Sequence, residues 1–149
     1  MKENKTSKKR IYYDVKKCLG CKSCEIVCAV GKSESKKLFE AVRQKVRPYA
    51  CVDVKAAKGK NFPIACRHCQ DHPCVDACIA AALSFNQDKG VVEHNKDKCV
   101  GCWLCIMVCP YGAIRQDNKL KIPVRCDLCP DEDKPRCVEG CPTGAIIYR

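Results

Sequence analysis

The sequence predicts an α+β protein of short helices, short antiparallel hairpins and many loops, held together by something besides its side chains. Seventeen of its 149 residues are cysteine, and sixteen of the seventeen fall into four clumps. The apolar fraction of 46% counts those cysteines and includes only three Phe, one Trp and five Tyr, too little bulk for ordinary burial to stabilise a domain of this size well. Between the clumps, brief apolar runs alternate with turn residues, so short elements are expected. By length the chain is one domain, or two small lobes that share ligands.

The opening stretch, "MKENKTSKKRIYYDVKKC", is rich in lysine, and residues 1–10 are expected to form a solvated, mobile basic tail. It has no apolar h-region and no small-residue cleavage site, so no secretory signal is expected. No apolar run approaches the length of a membrane span, which speaks against direct membrane insertion. A reducing or anaerobic cytoplasm is the expected setting. Together with the odd cysteine count, that makes disulfides the minority reading.

The clumps comprise Cys18, Cys21, Cys24 and Cys28; Cys66, Cys69, Cys74 and Cys78; Cys99, Cys102, Cys105 and Cys109; and Cys126, Cys129, Cys137 and Cys141. The first and third share the spacing C-x2-C-x2-C-x3-C, and an offset of 81 also aligns Lys17 with Lys98, Gly20 with Gly101 and Val27 with Val108. The second and fourth lengthen one gap. A second echo, "CIAAAL", "CPYGAI" and "CPTGAI", follows three of the clumps and predicts a turn feeding a short strand, so an internal repeat is present. The first clump departs from this, because "CAVGKS" runs into a polar stretch.

Between the clumps, Leu38, Phe39, Val42 and Val46 have helical spacing in "SKKLFEAVRQKV". "YACVDV" and "KAAKGKNFPI" predict two strands around a turn at Gly59. "LSFNQDKGVVEH" predicts a hairpin with Asp88, Lys89 and Gly90 at its tip, and "AIRQDNKLKIPV" predicts another with its turn near Asp117 and Asn118.

C-x2-C-x2-C-x3-C-P is the run that grips a [4Fe-4S] cube: two-residue gaps let one loop curl three thiolates around a compact object, and the chain then enters a helix whose cysteine faces a neighbouring cluster. Zinc prefers paired C-x2-C or Cys/His hooks, which would leave the third cysteine of each triplet without a tetrahedral role. His68 and His72 are the only histidines near a clump; they are read as outer-layer donors to cluster sulfur or as surface residues. An oxidised cube with four thiolates carries about −2, so four would offset roughly −8 of the formal +11 and leave about +3. The basicity is then largely internal counter-charge, and a nucleic-acid partner loses its main support.

These residues resemble a known family. "YYDVKKCLGCKSCEIVCAV", "FPIACRHCQDHPCVDACIAAAL", "DKCVGCWLCIMVCPYGAI" and "RCDLCPDEDKPRCVEGCPTGAI" look like the four-cluster [4Fe-4S] ferredoxin-like electron-transfer subunits of carbon monoxide dehydrogenase, tungsten or molybdenum aldehyde and formate oxidoreductases, and hydrogen-dependent carbon dioxide reductases. The resemblance covers about residues 11–149. It implies two pseudo-symmetric bacterial ferredoxin-like dicluster modules: an outer one of 11–34 plus 120–149, an inner one of 62–119, and a connecting helix and hairpin at 35–61. It also implies four [4Fe-4S] clusters with crossed ligands. The sets are Cys18, Cys21, Cys24 and Cys141; Cys126, Cys129, Cys137 and Cys28; Cys66, Cys69, Cys74 and Cys109; and Cys99, Cys102, Cys105 and Cys78. Trp103 follows Cys102 and does not replace a ligand, so complete cubes are expected.

The implied role is conduction of electrons between a catalytic oxidoreductase subunit and a second redox protein, such as a hydrogenase or flavoprotein, within a hetero-oligomer. A stand-alone polyferredoxin carrier is the alternative, and a zinc or nucleic-acid module a weaker one. Independent catalysis is not expected, because all sixteen clump cysteines are occupied and no nucleophile has a partnered base. Cys51 is read as a small apolar core residue. Backbone amides near Gly20 and Gly101 are expected to donate to cluster sulfur, while Trp103 and Tyr111 are read as packing residues, with cluster or partner contact as the other possibility.

Overall fold

The computed structural model describes residues 9–149. The tail expected over 1–10 falls outside this range except for Lys9 and Arg10. Arg10 already belongs to the fold, since its N–H and C=O exchange hydrogen bonds with Arg149 at 2.7 and 3.1 Å.

The expected α+β architecture is present. In chain order the elements are β1 (Ile11–Tyr13), α1 (Ser23–Gly31), α2 (Leu38–Arg43), β2 (Val52–Ala57), β3 (Lys60–Ala65), α3 (Pro73–Asp76), β4 (Leu83–Asn86), β5 (Val91–His94), α4 (Leu104–Met107), β6 (Arg115–Asp117), β7 (Ile122–Val124), α5 (Arg136–Glu139) and β8 (Ile146–Tyr148). The strands form four separate two-stranded antiparallel sheets, β1–β8, β2–β3, β4–β5 and β6–β7. The three anticipated hairpins are thus all formed. In the last one the turn lies one residue later than Asp117: Asp117 closes β6, and its carboxylate accepts the N–H groups of Lys119 and Leu120 at 2.8 and 3.1 Å.

The β1–β8 ladder closes the chain on itself, pairing Ile11 with Tyr148 and Tyr13 with Ile146. Local pattern could not reveal this pairing, because its partners stand at opposite ends of the sequence. α1 packs on α5, and α3 on α4. Glycine permits the first contact: a Cβ on Gly140 would stand 2.6 Å from Val27 Cγ2, and one on Gly31 2.6 Å from Arg136 Cδ.

Two apolar cores result. One gathers Val52, Val54, Ala65, Leu128 and Ile146 around Cys24, Cys28, Cys51, Cys126 and Cys137; the other gathers Leu83, Val92 and Ile114 around Cys74 and Cys105. Sulfur supplies much of each interior, which leaves hydrocarbon packing thin without a cofactor. The predicted helix over 38–46 ends at Arg43, and its apolar residues do not face a core. Phe39 is 81% exposed and Val42 59%, while Ala41 is the buried residue. Helical spacing marked a face, and the short connection here brings nothing to cover it.

Candidate iron-sulfur sites

Each clump begins in a loop and carries its third cysteine on a short helix; the fourth is on the helix only in the first clump, whereas Cys78, Cys109 and Cys141 lie just beyond α3, α4 and α5. Cys18 and Cys21 lie in the loop before α1, which carries Cys24 and Cys28 one turn apart; Cys99 and Cys102 precede α4, which carries Cys105. The curl that brings a triplet around one object is written in left-handed backbone: Gly20 at φ 72° and Lys22 at 62° in the first loop, Gly101 at 68° and Trp103 at 65° in the third. At Gly101 a side chain is also sterically barred, since its Cβ would meet the Lys121 carbonyl oxygen at 2.6 Å.

The fold brings thiols of different clumps together. Cys141 lies within electrostatic reach of Cys21 and Cys24. Cys28 is similarly near Cys126, Cys129 and Cys137, and Cys109 near Cys69 and Cys74. Cys78 lines one cavity with Cys99, Cys102 and Cys105. Trp103 borders that cavity too, whereas Tyr111 lies under the Arg67 guanidinium, 4.2 Å from ring centre to Cζ. Among the described residues no three Cys, His, Asp or Glu side chains are close enough to share a single ion. A cube several ångströms across tolerates such separation; a lone zinc, at about 2.3 Å from each sulfur, does not.

The donor chemistry fits the cluster. Burial pushes Cys24 and Cys105 up to about 11 and Cys126 up to about 12, so bare thiolates here would be strongly disfavoured and a cation must displace the proton. Several sulfurs also accept hydrogen bonds: Cys28 Sγ from the Cys51 N–H at 3.2 Å, Cys78 Sγ from the Ala82 N–H at 3.2 Å, and Cys126 Sγ from the Leu128 N–H at 3.4 Å. These donors sit after the helices or within the fourth loop.

Cys51 is buried, as expected of a core residue, but it is more than filler. Its N–H donates to Cys28 Sγ, and the neighbouring Cys51 thiol, the largest cause, helps bring the Cys28 thiol below its ordinary range. His68 is interior rather than superficial, with 2% exposure, and its Nδ1 accepts the Val92 N–H at 3.0 Å. His72 is half-buried, its ring 5.1 Å from that of Phe85. Sequence reading missed Arg125, which is 7% exposed and whose Nη2 donates to Cys66 Sγ at 3.3 Å. The available signal was a basic residue at the end of the apolar "KIPVRC" strand, directly before a clump. It also missed the ion pair joining Lys32, at the end of α1, to Asp127 in the fourth loop.

A fold of short helices and hairpins around buried cysteine sets defines a ferredoxin-like iron-sulfur protein. Residues 57–149 match the 4Fe-4S dicluster domain family, and this chain belongs to it. An iron-sulfur protein of Rhodospirillum rubrum is 38% identical, with 91% of this chain and 79% of that protein covered. The electron transport protein HydN of Escherichia coli (strain K12) is 34% identical, with 92% and 85% covered. Among solved structures, the active site complex BamBC of benzoyl coenzyme A reductase with benzoyl-CoA aligns at a TM-score of 0.53 and 22% identity, covering 95% of this chain and 78% of that one, a likeness of fold alone. The cofactors of this chain are accordingly [4Fe-4S] clusters. Among the described residues no helix is long and apolar enough to cross a membrane.

Proposed function

We propose that this chain is a non-catalytic electron-transfer subunit that relays electrons through four [4Fe-4S] clusters. The ligand sets are Cys18, Cys21, Cys24 and Cys141; Cys28, Cys126, Cys129 and Cys137; Cys66, Cys69, Cys74 and Cys109; and Cys78, Cys99, Cys102 and Cys105. Each cube supplies a one-electron couple, and the protein supplies its spacing and surroundings. The single observation that carries the reading is that thiols of successive sets lie within electrostatic reach of one another. Cys24 of the first is felt by Cys137 of the second, Cys66 of the third by Cys126 of the second, and Cys74 of the third by Cys105 of the fourth. A row of clusters would have this order.

The ends of such a row should be open and its middle closed. Among the described cysteines only Cys21 in the first set and Cys102 in the fourth are exposed and the two middle sets contain none, although Cys24 and Cys105 of the end sets are buried. Leu19 and Val100, which occupy equivalent places in the first and third loops, are 71% and 67% exposed beside those ends and suit contact with redox partners. The modules follow the same division: 11–34 with 120–149 outside, 62–119 inside, and 35–61 connecting them. β3 runs across the last boundary.

The resemblance of the cysteine segments favours carbon monoxide dehydrogenase, or a tungsten or molybdenum aldehyde or formate oxidoreductase, as the catalytic partner. A hydrogenase or flavoprotein then serves as the second redox partner, in a cytoplasmic hetero-oligomer. Protein purified without oxygen should contain about 16 iron atoms and as much acid-labile sulfide. Its visible absorption should bleach when it is mixed with one of these enzymes and that enzyme's substrate. Bleaching by dithionite but by none of the enzymes would move the reading to a stand-alone carrier, and zinc without sulfide would end it.

A further inference from the structure

We propose that Arg125 is an internal counter-cation that raises the reduction potential of the cluster held by Cys66, Cys69, Cys74 and Cys109, at the crossing between the two modules. The inference rests on the relay reading. It begins from a buried charge with no protein anion to match it: Arg125 is 7% exposed, and none of the ion pairs among the described residues includes it. A guanidinium taken out of water without a counter-charge is strongly disfavoured, so the interior must provide an anion.

The anion on offer is sulfur. Nη2 donates to Cys66 Sγ at 3.3 Å, and the same positive charge bears on Cys74. Two further donors of the side chain, Nε and Nη1, are buried without a protein partner. Beside it, His68 repeats the arrangement: its Nδ1 is occupied by the Val92 N–H, which places its proton on Nε2, and Nε2 is buried and unpartnered as well. Three donors aimed at no acceptor in the protein describe a lining made for an anionic guest, and a cube with thiolate ligands is one.

Position gives the charge a role in conduction. Arg125 follows β7 and directly precedes Cys126 of the second set, while its hydrogen bond goes to the third. One electron passing through adds one negative charge to a set and then removes it, with no bond made or broken and no proton moved. A fixed positive charge favours the more negative state, so Arg125 eases entry of the electron at the third set.

The test is an EPR-monitored redox titration of the full chain, prepared without oxygen as wild type, R125Q and R125K, with iron and sulfide measured on each. R125Q is expected to keep its iron and to lower one component by at least a tenfold change in reduction equilibrium, about 59 mV for one electron, with R125K falling between it and wild type. An R125Q protein that is loaded and titrates like wild type overturns the proposal. If R125Q loses a cluster, an R125K that restores both iron and the component supports the charge role, and an R125K that also loses it makes Arg125 a packing residue and overturns it. A wild type with no reducible cluster would remove the relay itself, whereas an unshifted R125Q beside a normal wild type removes only the arginine.

Discussion

The backbone N–H of Cys51 donates to Sγ of Cys28 at 3.2 Å, so the one cysteine outside the four clumps sits against a cysteine of the first. A hydrogen bond to a charged sulfur lowers the cost of the thiolate and draws the cluster's potential upward. The Cys51→Ala variant should keep its full iron content, because the backbone donor remains, lose about 1–2 kcal/mol of stability, and shift one cluster to lower potential. Iron loss in this variant would instead make Cys51 a ligand.

Ligand crossing gives a sharper contrast. Cys28 follows Cys24 on α1 but lies near Cys126, Cys129 and Cys137. Cys28→Ser should therefore alter the EPR component that Cys129→Ser alters and leave the one that Cys18→Ser removes. If Cys28→Ser and Cys18→Ser damage the same component, the assignment fails.

Two glycines with left-handed backbone should respond unequally to alanine. At Gly59, φ 71°, nothing stands within 4 Å of a new Cβ, so only the backbone cost of about 1 kcal/mol applies. At Gly101, φ 68°, the Cβ meets the Lys121 carbonyl at 2.6 Å, and either the third loop or the turn before β7 must move. Gly101→Ala should lose iron to a chelator many-fold faster than wild type, and Gly59→Ala should not. Comparable rates would show that the third loop is not tightly held.

Burial opposes the charge on Asp127, and the Lys32 ion pair outweighs it, holding this carboxyl below the usual range. A depressed folded value means that the stabilisation is present above the unfolded pKa, about 3.9, and is lost only as pH falls through the folded one. Because the carboxylate is half exposed, Asp127→Asn should cost at most about 1 kcal/mol, and the difference from wild type in denaturant melts should stay constant from about pH 8 to pH 5. A gap that widens across that window belongs to another group.

Removing the iron should unfold much of the chain. Cys24, Cys28, Cys51, Cys126 and Cys137 form half of the larger core, and burial resists charging the thiols there. Chelation without oxygen should abolish the far-ultraviolet signal of the short helices and make the chain protease-sensitive. A stripped protein with an unchanged spectrum would show that hydrocarbon packing alone suffices.

The four clumps, their triplet spacing and the three internal hairpins were legible because each is a local device: gaps of two residues limit what a loop can encircle, and turn residues fall between alternating strands. The exposed face of α2 shows the limit of that reading, since periodicity marks an apolar stripe at Leu38, Phe39 and Val42 without saying whether anything covers it. The β1–β8 ladder was illegible for the related reason that its strands are too short to carry a pattern and their partners are far apart.

By itself, then, the sequence determined the cofactor and the loops that grip it, since ligand number and short-range reach are properties of the chain. Only the tertiary structure decided which distant groups stand around each sulfur: Cys51 against Cys28, and Arg125 against Cys66 across 59 residues. Charge and hydrogen bonding act through space over a few ångströms, and it is the packing of distant segments on one another that turns such separations in sequence into contacts.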